Sequence, residues 1–288
     1  MFEFRTDLAD ERLEICKNNL KGVKSQKVIV SDNIQINRIS IENEEGSKLL
    51  QKKEGKYVTI DFKNVNIIDE NEFEEMKKIF FDELSKLMNF EKSFLVVGLG
   101  NRNTTADSIG PKVVENLNIT RHIIKYAPEL IPKETKEISA IAPGVLGTTG
   151  IETQEIVKGI IDKIEIDGII VIDAVCSNNI DRLLKTIQIN NTGIIPGGGV
   201  ENARKEISKE TMGIPVIAIG VPTVVEAATI VTDTLEKIDD EFNYEEEHSI
   251  IKNVLKNSEL NYAVMPKEID DLVDNLKKII ANGINNLA

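Results

Sequence analysis

Two short apolar runs, each leading to an aspartate, constrain this chain more than any other feature. Phe94-Leu95-Val96-Val97-Gly98-Leu99-Gly100 opens into a Gly/Asn/Thr loop that carries Asp107, and Gly168-Ile169-Ile170-Val171-Ile172 ends on Asp173. Runs this short and this uniformly apolar read as strands buried on both faces, as in a parallel sheet. In an open α/β sheet, ligands bind in the crevice outside the carboxyl ends of the strands. Two carboxylates from different strands can converge there, and a converging acid pair suits hydrolysis.

The segments around these runs predict the rest of the architecture. A short helix is expected over 8–20. Strands follow over 27–30, 34–41 and 57–62, with the charged stretch 42–56 as a hairpin-like connection. Phe73, Met76, Ile79, Phe80, Leu84 and Leu87 recur at helical spacing over 71–88. From residue 94 onward, strands alternate with helices: strands at 94–99, 169–172, 186–189 and 215–220, and helices at 108–117, 151–164 and 224–235. That alternation predicts an α/β fold with a mostly parallel sheet flanked by helices, plus a β-rich N-terminal elaboration. Segment 121–125, with His122, reads as a strand and 239–248 as an exposed acidic stretch. Pro266 stands just before or in the first turn of a C-terminal helix, where its missing N–H costs little.

At 288 residues the chain is long enough for one large core. No linker or repeat interrupts it, so a single α/β domain is expected. Acidic residues outnumber basic ones 48 to 35, a formal charge of −13. Such a field repels phosphate, which argues against direct nucleic-acid binding and against an anionic membrane surface. Cys16 and Cys176 are the two cysteines, too few for a disulfide framework, as expected of a reducing compartment. The N-terminus lacks the basic start and apolar core of a signal peptide, and no run approaches the ~18 apolar residues of a membrane span. A cytoplasmic protein is expected.

Elimination narrows the chemistry. His122 and His248 are the two histidines, and neither belongs to a His-Glu-x-x-His motif. There is no Gly-x-Ser-x-Gly elbow. Gly98-Leu99-Gly100 resembles half of a dinucleotide fingerprint, but Asn103 stands where the third glycine belongs. Cys176 has no obvious histidine partner to make it a nucleophile. The two aspartates remain. When environment or mutual repulsion separates two carboxyl pKa values, the ionised member can activate water and the protonated one can act as acid. The same residues also fit quieter roles. Asp107 can cap a helix starting at Ser108, and Asp173 can hold a neighbouring loop. The Gly-rich loops 143–150, with Gly144 and Gly147, and 196–199, with Gly197, Gly198 and Gly199, read either as backbone donors to a substrate or as turns needing positive φ.

Taken in order, several stretches resemble the germination protease family, endopeptidases of spore-forming bacteria that degrade small acid-soluble spore proteins. They are Phe4-Arg5-Thr6-Asp7-Leu8-Ala9, Val97-Gly98-Leu99-Gly100-Asn101, Asp107-Ser108-Ile109-Gly110-Pro111, Ala142-Pro143-Gly144-Val145-Leu146-Gly147-Thr148-Thr149-Gly150, Val171-Ile172-Asp173-Ala174 and Ile219-Gly220-Val221-Pro222-Thr223. Thr192-Gly193-Ile194 with Pro196-Gly197-Gly198-Gly199-Val200 completes the set. The resemblance implies that Asp107 and Asp173 are the essential aspartates. It also implies a fold like that of hydrogenase maturation proteases, a homotetramer in the spore core, and synthesis as a zymogen that cuts itself. The matching scissile bond is Asp7–Leu8, giving a propeptide over 1–7 and a peptidase domain over 8–288. Thr6-Asp7-Leu8-Ala9-Asp10-Glu11 is similar to the family's substrate site, an acidic residue followed by an apolar residue and alanine.

Two departures stand out. The loop Asp173-Ala174-Val175-Cys176-Ser177-Asn178-Asn179 lacks the basic residue expected soon after the aspartate, and a seven-residue propeptide is short. No cofactor and no metal are expected, since a zinc centre would lack its usual nitrogen ligand. An atypical aspartic mechanism is favoured over a metal-dependent one. The alternatives are a partner-specific processing protease of the hydrogenase maturation type and a non-enzymatic α/β module that binds a small ligand.

Overall fold

A computed structural model of the chain describes residues 6–16, 20–66, 69–197, 204–236, 238, 244–257 and 262–288. Its strands are β1 (Val23–Ile29), β2 (Ile34–Ile41), β3 (Gly55–Phe62), β4 (Ser93–Gly98), β5 (Glu137–Ile141), β6 (Gly168–Cys176), β7 (Thr186–Asn190), β8 (Val216–Glu226) and β9 (Ala263–Val264). The helices are α1 (Ala9–Ile15), α2 (Glu44–Leu50), α3 (Glu70–Leu87), α4 (Ile109–Val114), α5 (Arg121–Tyr126), α6 (Leu146–Thr149), α7 (Thr153–Ile161), α8 (Lys209–Met212), α9 (Ala227–Glu236), α10 (Tyr244–Asn257) and α11 (Ile269–Asn285).

The strands form one sheet in the order β1-β2-β3-β7-β8-β6-β4-β5, with β9 added to the end of β8. This overturns the expectation of a mostly parallel sheet. Among the described residues, the pairings β4–β5, β4–β6 and β6–β8 are parallel. The pairings β1–β2, β2–β3, β3–β7, β7–β8 and β8–β9 are antiparallel and outnumber them. The reason lies in β7. The link from β6 to β7 is too short for the crossover of a dozen or more residues that a parallel neighbour needs. β7 therefore turns back and wedges between β8 and β3, which fuses the N-terminal meander into the main sheet instead of leaving it as an elaboration.

Local chemistry explains most of the helices. α3 starts at Asp69, whose side chain accepts from the Asn71 N–H, and buries Met76, Phe80, Leu84 and Leu87 along one stripe. α11 buries Ile269, Leu272, Val273, Leu276, Ile279, Ile280 and Ile284 in the same manner. Both lie on one face of the sheet, against Ile36, Ile60, Val96, Ile170, Ile172, Ile187 and Ile219. Three segments differ from their sequence readings. The 42–56 connection holds α2, capped by Asn43, whose side chain accepts from the Gly46 N–H at 3.1 Å. His122 is exposed on helix α5 and not in a strand. The described part of the acidic stretch opens α10, where His248 is 5% exposed and its Nδ1 lies 2.9 Å from the Thr232 hydroxyl.

The opposite face of the sheet carries the site. Because strand residues alternate faces, the partners of the inward isoleucines point the other way. Leu95, Val97, Leu99, Ile169, Val171 and Val216 make one apolar cluster there, covered by Val157 and Met212. Val23, Ile39, Ile41 and Tyr57 make another with Ala9 and Leu50. Between them, a polar row crosses four strands in register: Thr59 opposes Gln188, Gln188 opposes Gly220, and Gly220 opposes Asp173. Thr59, Gln188 and Asp173 are all buried, at 1%, 4% and 4% exposure. Among the described residues, no helix is long and apolar enough to cross a membrane.

Candidate active site

Asp173 lies within β6, and Asp107 ends a single turn of 3-10 helix that follows the neighbouring strand β4. α4 is pressed onto these strand ends. A Cβ on Gly110 would sit 2.3 Å from the Leu99 carbonyl oxygen and 2.7 Å from that of Ile172, so only glycine permits this approach. Gly100 has φ +106, and a Cβ there would collide with the Asp107 carbonyl oxygen at 2.1 Å. The turn therefore folds Asp107 back over the end of β4. Its carboxylate accepts from the Asn101 N–H at 2.7 Å. It does not cap α4, whose N-cap Ser108 makes no side-chain capping bond either.

Asp173 accepts from the Ala174 N–H at 3.0 Å and, more weakly, from the Gly197 N–H at 3.5 Å. The two carboxyls sense each other. Burial, then the charge of Asp107, pushes Asp173 up to about 8, against the pull of the two N–H groups, and the charge of Asp7 adds to the rise. Burial also raises Asp107, while the Asn101 N–H and the positive charge of Arg204 pull it back. At neutral pH the arrangement thus has a buried protonated acid beside a more readily ionised one, as a hydrolytic acid–base pair requires.

The chain's own N-terminal segment fills the polar row beside this pair. The Asp7 N–H donates to the Cys176 carbonyl at 3.0 Å, and the Asp7 carboxylate accepts from the Cys176 N–H at 2.9 Å. The Asp7 carbonyl accepts from Lys52 Nζ at 2.9 Å and from Gln188 Nε2 at 3.1 Å. Leu8 and Ala9 are fully buried, and the Ala9 N–H donates to Gln188 Oε1 at 2.7 Å. Glu11 is 1% exposed and accepts from the Ser177 hydroxyl at 2.5 Å, from the Asn178 N–H at 2.9 Å, and from the Thr6 hydroxyl. Arg182 NH1 reaches Asp10 at 2.8 Å.

The loop after Asp173 therefore binds acidic residues mostly through backbone N–H groups, and the cation absent from 173–179 arrives at Arg182. Lys52, Ser177, Arg182 and Gln188 had no signal in the sequence that set them apart from other polar residues. Gln188 is simply one of three polar members of an alternating strand, with Thr186 and Asn190.

The glycine loops divide. Gly197 has φ +58 and faces Asp173 through its N–H. Gly144 has φ +79 and serves a turn, and Gly147 lies in α6 with open space around it. Gly198 and Gly199 lie outside the described residues. Cys176 is 3% exposed and meets Asp7 through its backbone. Among the described residues, no group of three His, Cys, Asp or Glu side chains is arranged to hold a metal ion.

Comparison with known proteins gives the site its context. The germination protease family model matches residues 3–245. The germination protease of Clostridium perfringens SM101 is 44% identical, over 99% of this chain and 95% of its own length. That of Clostridium acetobutylicum is 42% identical over 99% of this chain and 95% of its own, and that of Bacillus licheniformis 39% identical over 97% and 89%. A solved NiFe hydrogenase maturation protease from Thermococcus kodakarensis matches at TM-score 0.37 and 15% identity, over 71% of this chain and 99% of that one, too loosely to assign any residue a role. With a family match over most of its length and relatives near 40% identity aligned end to end, this chain belongs to the germination protease family and is a peptidase.

Proposed function

We propose that Asp107 and Asp173 together activate one water for peptide hydrolysis, and that the first bond they cut is Asp7–Leu8 of their own chain. The observation that carries this reading is the docking of segment 6–11 beside the pair, close enough for the charge of Asp7 to raise the pKa of Asp173. Ionised Asp107 takes a proton from water as its oxygen attacks the Asp7 carbonyl carbon. Protonated Asp173 delivers its proton to the Leu8 nitrogen as the C–N bond breaks. Asp107 then holds the extra proton and Asp173 is ionised, and exchange with solvent resets the pair. No metal enters any step.

The substrates are small acid-soluble spore proteins, which this family's endopeptidases degrade when a spore germinates. The self-segment supplies the template. An acid before the cut meets the Cys176 N–H, an apolar residue and alanine after it enter buried ground, and a further acid is received by Ser177 and Asn178. Neither processing of a single partner protein nor binding of a small ligand accounts for a substrate-like segment held there. Residues 1–7 are the propeptide and 8–288 the peptidase domain. The protein works in the spore core as a homotetramer, supported by the apolar surface exposed at Val231 of α9, Ile250 and Val254 of α10, and Tyr262 and Met265, which flank β9.

Intact-mass measurement of the purified chain tests the reading. The wild type converts with time to a species lacking residues 1–7. Asp107→Asn and Asp173→Asn do not convert, although both stay folded, and a chelator leaves the wild-type rate unchanged. Conversion of either variant at the wild-type rate sinks the assignment. Loss of wild-type conversion on chelation, restored by a divalent ion alone, sinks the metal-free mechanism.

A further inference from the structure

The mechanism above leaves one charge without a partner. When water adds to the Asp7 carbonyl, its oxygen takes on negative charge. The steps above commit the Asp173 proton to the leaving nitrogen and leave Asp107 neutralised by the water's proton, so neither is assigned to that oxygen. Two other side chains already touch that oxygen: Lys52 Nζ at 2.9 Å and Gln188 Nε2 at 3.1 Å. We propose that Lys52 and Gln188 form the oxyanion hole of this peptidase, gripping the carbonyl oxygen of the residue before the cut. This rests on Asp7–Leu8 being the bond cleaved.

Three features distinguish this pair from ordinary structural hydrogen bonding. First, Gln188 spans the bond. Its Nε2 donates to the carbonyl on one side, and its Oε1 accepts from the Ala9 N–H at 2.7 Å on the other. A single amide thereby holds the scissile carbonyl and the N–H of the next peptide, while the scissile Leu8 N–H donates to the Thr6 hydroxyl at 3.0 Å. Second, Gln188 lies in register with Asp173 across Gly220, where the Val175 side chain packs within 3.1 Å of the position a Cβ would take. Third, Lys52 is part-exposed as a residue, yet its ammonium end lies in the interior, where burial, with the charge of Arg12, holds its pKa below the ordinary lysine value and the charges of Asp7 and Glu11 offset this only in part. A cation and an amide N–H fixed in advance in a site of low polarity are worth far more to a developing oxyanion than to a neutral carbonyl.

In the balanced step, water adds to the carbonyl carbon and loses a proton to Asp107. The carbonyl π pair moves onto oxygen, where Lys52 and Gln188 hold it without transferring a proton. The pair returns as the bond to the Leu8 nitrogen breaks, and Asp173 protonates that nitrogen. The same two donors would receive the corresponding carbonyl of a protein substrate once the self-segment has left.

The full chain carries its own substrate, so a single-turnover measurement tests the proposal directly. Self-cleavage is followed by intact mass for the wild type, Lys52→Met, Lys52→Arg, Gln188→Met and Gln188→Glu. Hydrogen exchange over residues 6–13 reports whether the segment stays docked. Lys52→Met and Gln188→Met should each slow cleavage by about 100-fold or more, the typical loss for one oxyanion donor, with the segment still protected. Gln188→Glu keeps the acceptor for the Ala9 N–H, loses the donor and should be equally slow. Lys52→Arg, which keeps a cation, should recover at least tenfold over Lys52→Met.

Cleavage within about threefold of wild type in Lys52→Met or Gln188→Met overturns the proposal. So does undocking of the segment in both Lys52→Met and Gln188→Glu, which would make the two residues structural only. Asp107→Asn and Asp173→Asn run alongside. If those two still cleave, the aspartate reading is what fails. If they are inert while the Lys52 and Gln188 variants are active, the oxyanion hole alone fails.

Discussion

Replacing Asp173 with asparagine should stabilise the fold at neutral pH while abolishing cleavage. In the unfolded chain this aspartate titrates at its ordinary 3.8, whereas in the fold burial and Asp107 push it up to about 8. Between those values the folded state holds a proton that the unfolded state has released, so stability falls as pH rises. The contribution is intact below the unfolded value and is lost progressively until the folded carboxyl ionises near 8. Each unit of separation is worth about 1.36 kcal/mol, so keeping this group protonated at pH 7, roughly three units above 3.8, costs about 4 kcal/mol. Asparagine is neutral throughout and can still accept from the Ala174 and Gly197 N–H groups. The stability difference between Asp173→Asn and wild type should therefore grow in the variant's favour from pH 4 to pH 7 and flatten above pH 8. The chain has no tryptophan, so urea unfolding is best followed by far-UV circular dichroism, with intact mass confirming that the wild type is uncut. Wild-type and variant stability curves that run parallel across this range would refute the argument, because the buried acid would then not be holding its proton.

The same titrations shape catalysis. Cleavage should need Asp107 ionised and Asp173 protonated, giving a bell-shaped pH–rate profile with its alkaline limb near 8 and its acid limb above the ordinary carboxyl range; a rate still rising past pH 9 would contradict the roles. Gly110→Ala drives a methyl against two carbonyl oxygens that cannot yield, and should cost about 1–3 kcal/mol by thermal melting and slow self-cleavage by displacing the strand ends that hold the pair. Far from the site, Glu83 is almost fully buried and takes a two-pronged bond from Arg38, Nε at 2.9 Å and NH2 at 2.7 Å. Arg38→Met should cost about 2–3 kcal/mol, less than the roughly 3–5 kcal/mol of a fully orphaned buried charge, because Lys86 still reaches Glu83 at 2.6 Å. Self-cleavage, by contrast, should be unchanged.

Much of this molecule is legible in the chain. Helical periodicity marks α3 and α11, and uniform apolar runs mark β4 and β6, because these patterns report which faces must leave water. Asp107 and Asp173 are visible because their strands are visible and ligands gather at strand ends. His122 misleads because Ile123 and Ile124 imitate a strand over a stretch too short for periodicity to arbitrate. α2 is hidden by its charge, since only Gly46 and Leu50 of its residues are buried.

What the sequence by itself determined is therefore the long amphipathic helices, the buried strands that end at the two aspartates, the acid pair and the likeness of residues 6–11 to a substrate. Tertiary structure alone decided the rest. Strand direction depends on how far a connection must reach, so the antiparallel placement of β7 cannot be read from its own residues. That one placement sets Gln188 in line with Asp173, and the fold of the N-terminal meander brings Lys52 to the same carbonyl. Lys52 and Gln188 are separated by more than a hundred residues of chain, and their meeting is a property of the packed sheet, where burial turns ordinary polar groups into a poised acid and a fixed pair of donors.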